Sequence, residues 1–114
     1  MMSALFDESK YDFTPVIGKD ELPEGERLFL EIDDQPVVIV NLKGELFAFS
    51  DMCTHDGETL GDGEIEGCEI ICPRHGARFD LRTGEVTRLP ASEGIPVYPV
   101  RFAGDFIEFG FPKE

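Results

Sequence analysis

Residues 51–81 read DMCTHDGETLGDGEIEGCEIICPRHGARFDL and contain both histidines and all three cysteines of the chain. Cys53 and His55 form a C-x-H pair, and Cys72 and His75 form a C-x-x-H pair, with sixteen residues between His55 and Cys72. One Cys-His pair in each of two loops is a spacing typical of a metal site. The segment therefore predicts that the rest of the chain holds two ligand loops in place.

The composition indicates one globular domain with an acidic surface. The chain has 114 residues, of which 41% are hydrophobic, and its ten phenylalanines predict a phenylalanine-rich core. A formal net charge of −14 opposes binding to nucleic acid or to an anionic membrane, and favours a basic protein surface as partner. The N-terminal residues are acidic, unlike a signal peptide, and no run reaches the ~18 apolar residues of a membrane span. We therefore expect a cytoplasmic protein.

The apolar pattern predicts strands throughout and no helix. Alternating and β-branched runs indicate a β-meander in the first half, a small sheet that carries the ligand loops, and a C-terminal hairpin that returns to the N-terminal sheet. The predicted strands cover residues 13–17, 27–32, 37–42, 45–50, 64–66, 69–71, 78–81 and 85–87, and the final hairpin starts at residue 95 and turns at 103–105.

The two Cys-His pairs are compatible with two kinds of metal site. They could hold one zinc ion, or the cysteines could bind one iron of a 2Fe-2S cluster and the histidines the other iron. Zinc fingers usually present Cys-Cys and His-His pairs, whereas a Cys and a His separated by Thr54 alone favour two loops that approach an elongated cluster from opposite sides. Three cysteines, an odd number, also argue against a closed disulfide framework.

These residues resemble the Rieske iron–sulfur pattern. The C-T-H, the sixteen-residue gap and the C-P-R-H-G match it, and the following ARFDLRTGEVTRLPA resembles the same region of Rieske-type ferredoxins. The resemblance covers at least residues 51–91 and implies an all-β fold, a Rieske-like antiparallel β-sandwich. Residues 1–114 would form a single domain, with a small cluster-binding subdomain of about residues 51–91, carrying two ligand loops, inserted in a basal β scaffold.

The same resemblance assigns the ligands. Cys53 and Cys72 ligate the inner iron as thiolates, and His55 and His75 ligate the outer iron as neutral imidazoles. Two ferric ions, two sulfides and two thiolates sum to zero charge, and one added electron brings the sum to minus one. Because two further thiolates would make the centre more negative, histidine ligation raises the reduction potential.

The chain departs from the high-potential members of this family. Those proteins carry an extra cysteine in each ligand loop, and a serine and a tyrosine that donate hydrogen bonds to the cluster sulfurs. Here Ala77 occupies the serine position and Phe79 the tyrosine position, and neither side chain can donate. We therefore predict a low-potential, oxygenase-associated ferredoxin with a potential of roughly −150 mV.

The function implied by the resemblance is that of a monomeric one-electron carrier between a reductase and a terminal acceptor, such as a ring-hydroxylating oxygenase. The chain is not expected to be an enzyme on its own. An oxygenase catalytic site needs further histidines, and the two histidines of this chain are already assigned to the cluster. Two alternatives stay open. One is the small subunit of a larger oxidoreductase such as nitrite reductase, and the other is a zinc-stabilised interaction module without a redox role.

Three features near the loops complete the interpretation. Cys68 lies outside both loops and is interpreted as a small apolar residue packed in a strand and not as a ligand. Leu89-Pro90-Ala91 resembles the proline loop that covers the cluster in this family. Acidic residues around the first loop predict a surface that steers a basic partner. These acidic residues are Asp51, Asp56, Glu58, Asp62, Glu64, Glu66 and Glu69.

Overall fold

The computed structural model describes residues 6–53, 58–89, 91 and 93–113. Within these residues the chain forms antiparallel strands and two short 3-10 turns, Glu8–Lys10 and Lys19–Glu21. The strands are β1 (Tyr11–Gly18), β2 (Arg27–Ile32), β3 (Gln35–Leu42), β4 (Glu45–Ser50), β5 (Ile65–Glu66), β6 (Glu69–Ile71), β7 (Arg78–Asp80), β8 (Val86–Arg88), β9 (Val97–Tyr98), β10 (Val100–Ala103) and β11 (Phe106–Pro112). The all-β prediction is confirmed, and the limits of β1 to β8 differ from the predicted ones by at most two residues. The first arm of the predicted final hairpin is divided in the structure into β9, which joins the sheet of β2, β3 and β4, and β10, which pairs with β11.

Strands β2, β3, β4 and β9 form a four-stranded sheet in that order. Between β2 and β3, Asp33 and Asp34 both have positive φ, and so do Lys43 and Gly44 between β3 and β4. Two successive residues with positive φ are the requirement of a type I′ hairpin turn, whose twist matches that of the flanking strands. In β3, Val37 to Val40 are at most 2% exposed, which confirms the prediction of a strand covered on both faces.

The chain divides into two compact units. The first comprises Met1–Leu28, Ile39–Ala48 and Tyr98–Glu114, and the second comprises Phe29–Val38 and Phe49–Val97. The second unit contains the whole of the predicted subdomain, residues 51–91. A single Rieske-type domain with that subdomain stays a prediction.

In the first unit, β11 pairs antiparallel with both β1 and β10. The C-terminal hairpin therefore returns to the N-terminal strand, as the sequence pattern predicts. Ile107 and Phe109 are fully buried, and the Phe109 ring packs against Tyr98 and Phe111 at centroid distances of 5.3 and 5.1 Å. Aromatic packing of this kind confirms the phenylalanine-rich core for this unit.

The one buried side-chain amide described in the first unit, that of Asn41, has its hydrogen bonds satisfied. Its Nδ2 donates to Leu22 O at 2.9 Å, and its Oδ1 accepts from Gly44 N at 2.8 Å. Because both polar ends are paired, the amide adds little desolvation cost and fixes the β3–β4 turn against the segment that precedes β2.

In the second unit, β5, β6, β7 and β8 form an antiparallel sheet in that order. Ile70 on β6 pairs with Ile65 on one side and with Phe79 on the other, and Ile70 and Phe79 are fully buried. The turn between β6 and β7 carries the second predicted ligand pair. The central hairpin of this small sheet therefore sets the position of Cys72 and His75.

Candidate metal centre

The second ligand loop is a tight turn closed by backbone hydrogen bonds. Cys72 N donates to Ala77 O at 2.7 Å, and Gly76 N donates to Cys72 O at 3.0 Å. Gly76 has φ +75°, a left-handed conformation that costs glycine little. The turn buries Cys72, which is 1% exposed, and leaves the side chain of His75 exposed.

The first ligand loop is closed at its base by Asp51. The Oδ1 atom of Asp51 accepts hydrogen bonds from Leu60 N at 2.9 Å and from Gly61 N at 2.5 Å. Within the loop, Cys53 N donates to Glu58 O at 2.8 Å, and Cys53 is fully buried. A half-buried carboxylate that caps two amides holds the ends of the loop together.

The structure describes three of the four predicted ligands. Cys53 and Cys72 are buried and His75 is exposed, whereas His55 lies in residues 54–57, outside the described part of the chain. Among the residues that are described, no three histidine, cysteine or acidic side chains form a metal-binding group. The four-ligand assignment therefore stays a prediction.

The donor set fits a Rieske-type cluster in its chemistry. Two sulfur donors are shielded from water and the imidazole of His75 is exposed, and thiolate and imidazole are the ligand types that bind the two irons of such a centre. Both cysteine amides are already bonded within their own loops. The loops thus fix the backbone of each cysteine independently of any bound group.

Arg74 is a candidate that the sequence pattern does not single out. Its Nη2 donates to Thr59 O at 2.8 Å in the first loop and contacts Cys72 Sγ at 3.6 Å in the second. The only sequence signal is that an arginine stands between the two ligands of the C-P-R-H motif. The direction of its side chain depends on how the two loops meet.

Arg78, in β7, engages two of the acidic residues listed above. Its Nη1 lies 3.1 Å from Glu66 Oε1 and 3.5 Å from Glu69 Oε1. The hydrogen bond that Arg78 donates to Glu66 is the main reason that the pKa of Arg78 is raised. Its Nε is buried and has no hydrogen-bond partner among the described residues. The ion pairs therefore join β7 to β5 and β6.

The predicted acidic surface is accordingly smaller than the sequence suggests. Asp51 caps a loop, and Glu66 and Glu69 pair with Arg78. Asp56 lies outside the described residues. The exposed acidic side chains that the structure describes in this set are those of Glu58, Asp62, Glu64 and Glu66, of which Glu66 is paired with Arg78.

Cys68 and the predicted proline loop lie nearby. Cys68 is half-buried in the turn between β5 and β6, and its carbonyl oxygen accepts from Leu81 N at 2.8 Å. It is a turn residue and not the strand residue that we expected. In the proline loop Leu89 is 76% exposed and Ala91 is buried, while Pro90 lies outside the described residues. A covering role for this loop stays a prediction.

The residues at the serine and tyrosine positions are both buried. Ala77 and Phe79 are each 0% exposed, and Ala77 O accepts from the amide of Cys72. An alanine and a phenylalanine offer no side-chain donor beside the second loop. The low reduction potential inferred from them stays a prediction.

Comparisons with known proteins identify the family. The Rieske [2Fe-2S] domain family matches residues 12–99. The biphenyl dioxygenase ferredoxin subunit of Pseudomonas sp. strain KKS102 is 41% identical over 102 residues, which are 89% of this chain and 94% of that protein. The ferredoxin of carbazole 1,9a-dioxygenase from Nocardioides aromaticivorans IC177 has a TM-score of 0.78 and 31% identity, over 89% of this chain and 98% of that structure.

A second solved structure bears on the nitrite reductase alternative. The small subunit of an NADH-dependent nitrite reductase from Mycobacterium tuberculosis has a TM-score of 0.79, over 91% of this chain and 98% of that structure. Its identity to this chain is only 20%. This likeness concerns the fold alone.

The chain therefore belongs to the Rieske [2Fe-2S] domain family. It holds one 2Fe-2S cluster and is a ferredoxin-type carrier of single electrons between protein partners. The prediction made from the C-T-H and C-P-R-H-G motifs is confirmed at the level of family, cofactor and electron transfer. Among the described residues, no helix is both long enough and apolar enough to cross a membrane.

Proposed function

We propose that the chain passes electrons from a reductase to the terminal oxygenase of a ring-hydroxylating dioxygenase system. The ferredoxin subunit of biphenyl dioxygenase is 41% identical to this chain over 102 residues, and this similarity supports the role of a ferredoxin component. The observation that carries the proposal is the unequal burial of the predicted ligands. Cys53 and Cys72 are shielded from water, while His75 is exposed to an approaching partner.

In this proposal Cys53 and Cys72 ligate the inner iron, and His55 and His75 ligate the outer iron. The bound cluster supplies an acceptor for one electron at a time. The buried cysteines keep their sulfur atoms away from water and competing ligands. The exposed imidazole of His75 brings the outer side of the site to the protein surface, where a partner can approach.

The docking surface would combine exposed apolar and acidic side chains of the second unit. Met52, which precedes a ligand, is 41% exposed, and Leu89 is 76% exposed. Glu58, Asp62 and Glu64 are exposed along the sequence between the loops. Exposed apolar and acidic side chains of this kind fit a partner surface with apolar and basic side chains, and we propose such a surface on both the reductase and the oxygenase.

We further propose that residues 1–114 act as one Rieske-type domain, with its cluster-binding subdomain at about 51–91, and that the protein is a cytoplasmic monomer. A carrier that serves two partners in turn must leave each one after electron transfer. Sedimentation or light scattering of the purified protein checks the monomer, and a permanent complex with a larger oxidoreductase would favour the subunit alternative instead.

The cluster can be tested before any partner is known. The purified protein is expected to be red-brown, to bleach with dithionite, and to contain about two irons and two sulfides per chain. Metal analysis would settle the zinc alternative, because a colourless protein with one zinc ion would refute the cluster assignment. Serine in place of Cys53 or Cys72 is expected to abolish the colour.

The carrier role needs a reconstituted system. With the reductase and oxygenase of a biphenyl-type dioxygenase, the protein is expected to couple NADH oxidation to hydroxylation of an aromatic hydrocarbon. Omitting the protein is the control for direct transfer from reductase to oxygenase. Reduction by the reductase without any product from the oxygenase would point to another terminal acceptor, and nitrite reduction would support the alternative.

A further inference from the structure

Arg74 joins the two ligand loops through one nitrogen of its guanidinium group. The Nη2 atom donates to Thr59 O at 2.8 Å and lies 3.6 Å from Cys72 Sγ. Thr59 belongs to the first loop, and Cys72 is a proposed ligand in the second. Because sulfur is larger than oxygen, the longer distance is still a donor contact, and a thiolate accepts such a contact better than a thiol does.

Both ends of this bridge are held by other hydrogen bonds. The two residues after Thr59 donate their amides to Asp51 Oδ1, at 2.9 Å from Leu60 and 2.5 Å from Gly61. On the other side, the amide and the carbonyl of Cys72 are both bonded within its own turn. Arg74 therefore connects two segments that are each held in place by their own hydrogen bonds.

We propose that Arg74 is a positioning residue that fixes the spacing of the two ligand loops and raises the reduction potential of the bound cluster. This inference rests on the ligand set proposed above. A positively charged donor stabilises negative charge on a ligand sulfur, and one-electron reduction increases that charge. The reduced state therefore gains more than the oxidised state from the contact with Arg74.

The contact also bears on the residues at the serine and tyrosine positions. Ala77 and Phe79 provide no side-chain donor to sulfur. Arg74 supplies a donor from within the C-P-R-H motif itself. This donor offsets part of the effect of the missing serine and tyrosine donors. The reduction potential of this chain therefore lies above the value that an otherwise identical site without Arg74 would have.

An exposed arginine could instead act only as a distant charge, and Arg82 provides the matched control. Arg82 is exposed in the turn between β7 and β8 of the same unit. Neutralising it removes the same charge without removing a contact to a ligand sulfur. A purely coulombic effect at the surface is also screened by salt, whereas a hydrogen bond to sulfur is not removed by ionic strength.

The test compares Arg74→Gln, Arg74→Lys and Arg82→Gln in the full chain with its cluster. The readouts are the midpoint potential at low and high salt and the rate at which iron is lost to a chelator. Arg74→Gln is expected to lower the potential at both salt concentrations and to speed iron loss several-fold. Arg74→Lys keeps the charge but not the planar donor group, so we expect an intermediate result, while Arg82→Gln retains iron as the wild type does.

The outcomes separate this inference from the ligand assignment. If Arg74→Gln matches Arg82→Gln in potential and iron retention, the inference is wrong, although the cluster assignment survives. If Arg74→Gln cannot retain a cluster while Arg82→Gln can, the spacing role is supported. The midpoint potential of Arg74→Lys then tests the effect of the Arg74 contact on the potential. Wild-type potential in Arg74→Lys would overturn tuning by the planar guanidinium contact, because the charge alone would then account for the potential. A wild-type protein without iron would overturn the ligand set itself.

Discussion

Asp51 shows how a single side chain outside the ligand set can govern a ligand loop. Its Oδ1 accepts two amide hydrogen bonds, from Leu60 and Gly61, and both of those residues are buried. Buried amides that lose their acceptor cannot regain it from water without opening the structure. The carboxylate therefore closes the loop that carries Cys53 and His55.

Replacing Asp51 with alanine is expected to destabilise the folded protein by about 1–3 kcal/mol for each amide left without an acceptor. Asparagine keeps one oxygen, so Asp51→Asn should cost less than Asp51→Ala. Chemical denaturation gives the free energy of unfolding, and iron release to a chelator reports on the loop itself. Equal effects of the two substitutions would show that the acceptor is not what matters.

Ala77 is the residue at which the predicted low potential can be tested. Its carbonyl oxygen accepts a hydrogen bond from the amide of Cys72, and its side chain is buried. Ala77→Ser is expected to raise the potential, because a hydroxyl donor favours the reduced, more negative cluster. A hydrogen bond of about 1 kcal/mol corresponds to roughly 40 mV for one electron. Redox titration of Ala77→Ser and of Ala77→Gly, which adds no donor, would check this.

Ionisation of Tyr98, in the first unit, makes the free energy of unfolding depend on pH. Burial raises the pKa of Tyr98 above the ordinary value of 10.0, and its ring packs on Phe109. Above that ordinary pKa the unfolded chain loses the phenolic proton while the folded protein still holds it. The free energy of unfolding therefore falls as pH rises from the ordinary pKa to the higher pKa of the folded state.

Tyr98→Phe is therefore expected to lose less stability than the wild type over this alkaline range. Urea denaturation at several values between about pH 8 and pH 11 would measure the slope. The phenyl ring preserves the packing, which separates ionisation from the loss of volume. Parallel pH profiles for the two proteins would show that Tyr98 does not contribute to the alkaline loss.

At the scale of elements, each ligand loop is supported in its own way. The second loop is the turn of the β6–β7 hairpin and inherits its geometry from two paired strands. The first loop leaves β4 and returns through Leu60 and Gly61, with Asp51 as its closure. Gly61 marks where this loop packs closely against the β2–β3 hairpin, since a Cβ there would overlap side-chain atoms of Val38 and Phe29.

Gly61→Ala is expected to destabilise the protein by about 1–3 kcal/mol, because the added methyl group meets a packed surface. Gly18→Ala is the control, since its nearest contact is the flexible carboxylate of Glu21 at 3.0 Å and its φ is −69°. Thermal unfolding and cluster retention should both be impaired in Gly61→Ala and nearly unchanged in Gly18→Ala. Similar behaviour of the two variants would mean that the loop has room to shift.

At the scale of the whole molecule, net charge governs the encounter with partners. A formal charge of −14 attracts a basic surface at long range, and the attraction weakens when salt shortens the Debye length to about 8 Å at 0.15 M. The second-order rate of electron transfer from the reductase is therefore expected to fall as ionic strength rises.

A pair of double variants would locate this effect. Asp62→Asn with Glu64→Gln neutralises two exposed residues between the ligand loops, whereas Glu24→Gln with Glu45→Gln neutralises two exposed residues of the first unit. The first pair should slow the reaction several-fold at low salt and the second much less. Stopped-flow measurements showing equal rates would mean that the overall charge, and not a local surface, attracts the partner.

Much of the fold is predictable because it depends on local patterns. The VVIV run of β3, the paired residues with positive φ in two hairpin turns, and the alternation of the C-terminal hairpin all act within a few residues. Cys68 is an exception to these local predictions, because it forms the turn between β5 and β6 together with Gly67 and does not lie in a strand. A turn residue next to a short strand is difficult to assign from apolar pattern alone.

The sequence by itself determined the ligand types and their spacing, since C-T-H and C-P-R-H place thiolate and imidazole donors in two short loops. It also determined the all-β class through apolar periodicity. Only the tertiary structure decided that the two cysteines are buried and that Arg74 spans the loops. It also decided that Asp51 caps the first loop and that Glu66 and Glu69 pair with Arg78. These facts depend on segments that are distant in the chain, and a local pattern carries no information on where such segments meet.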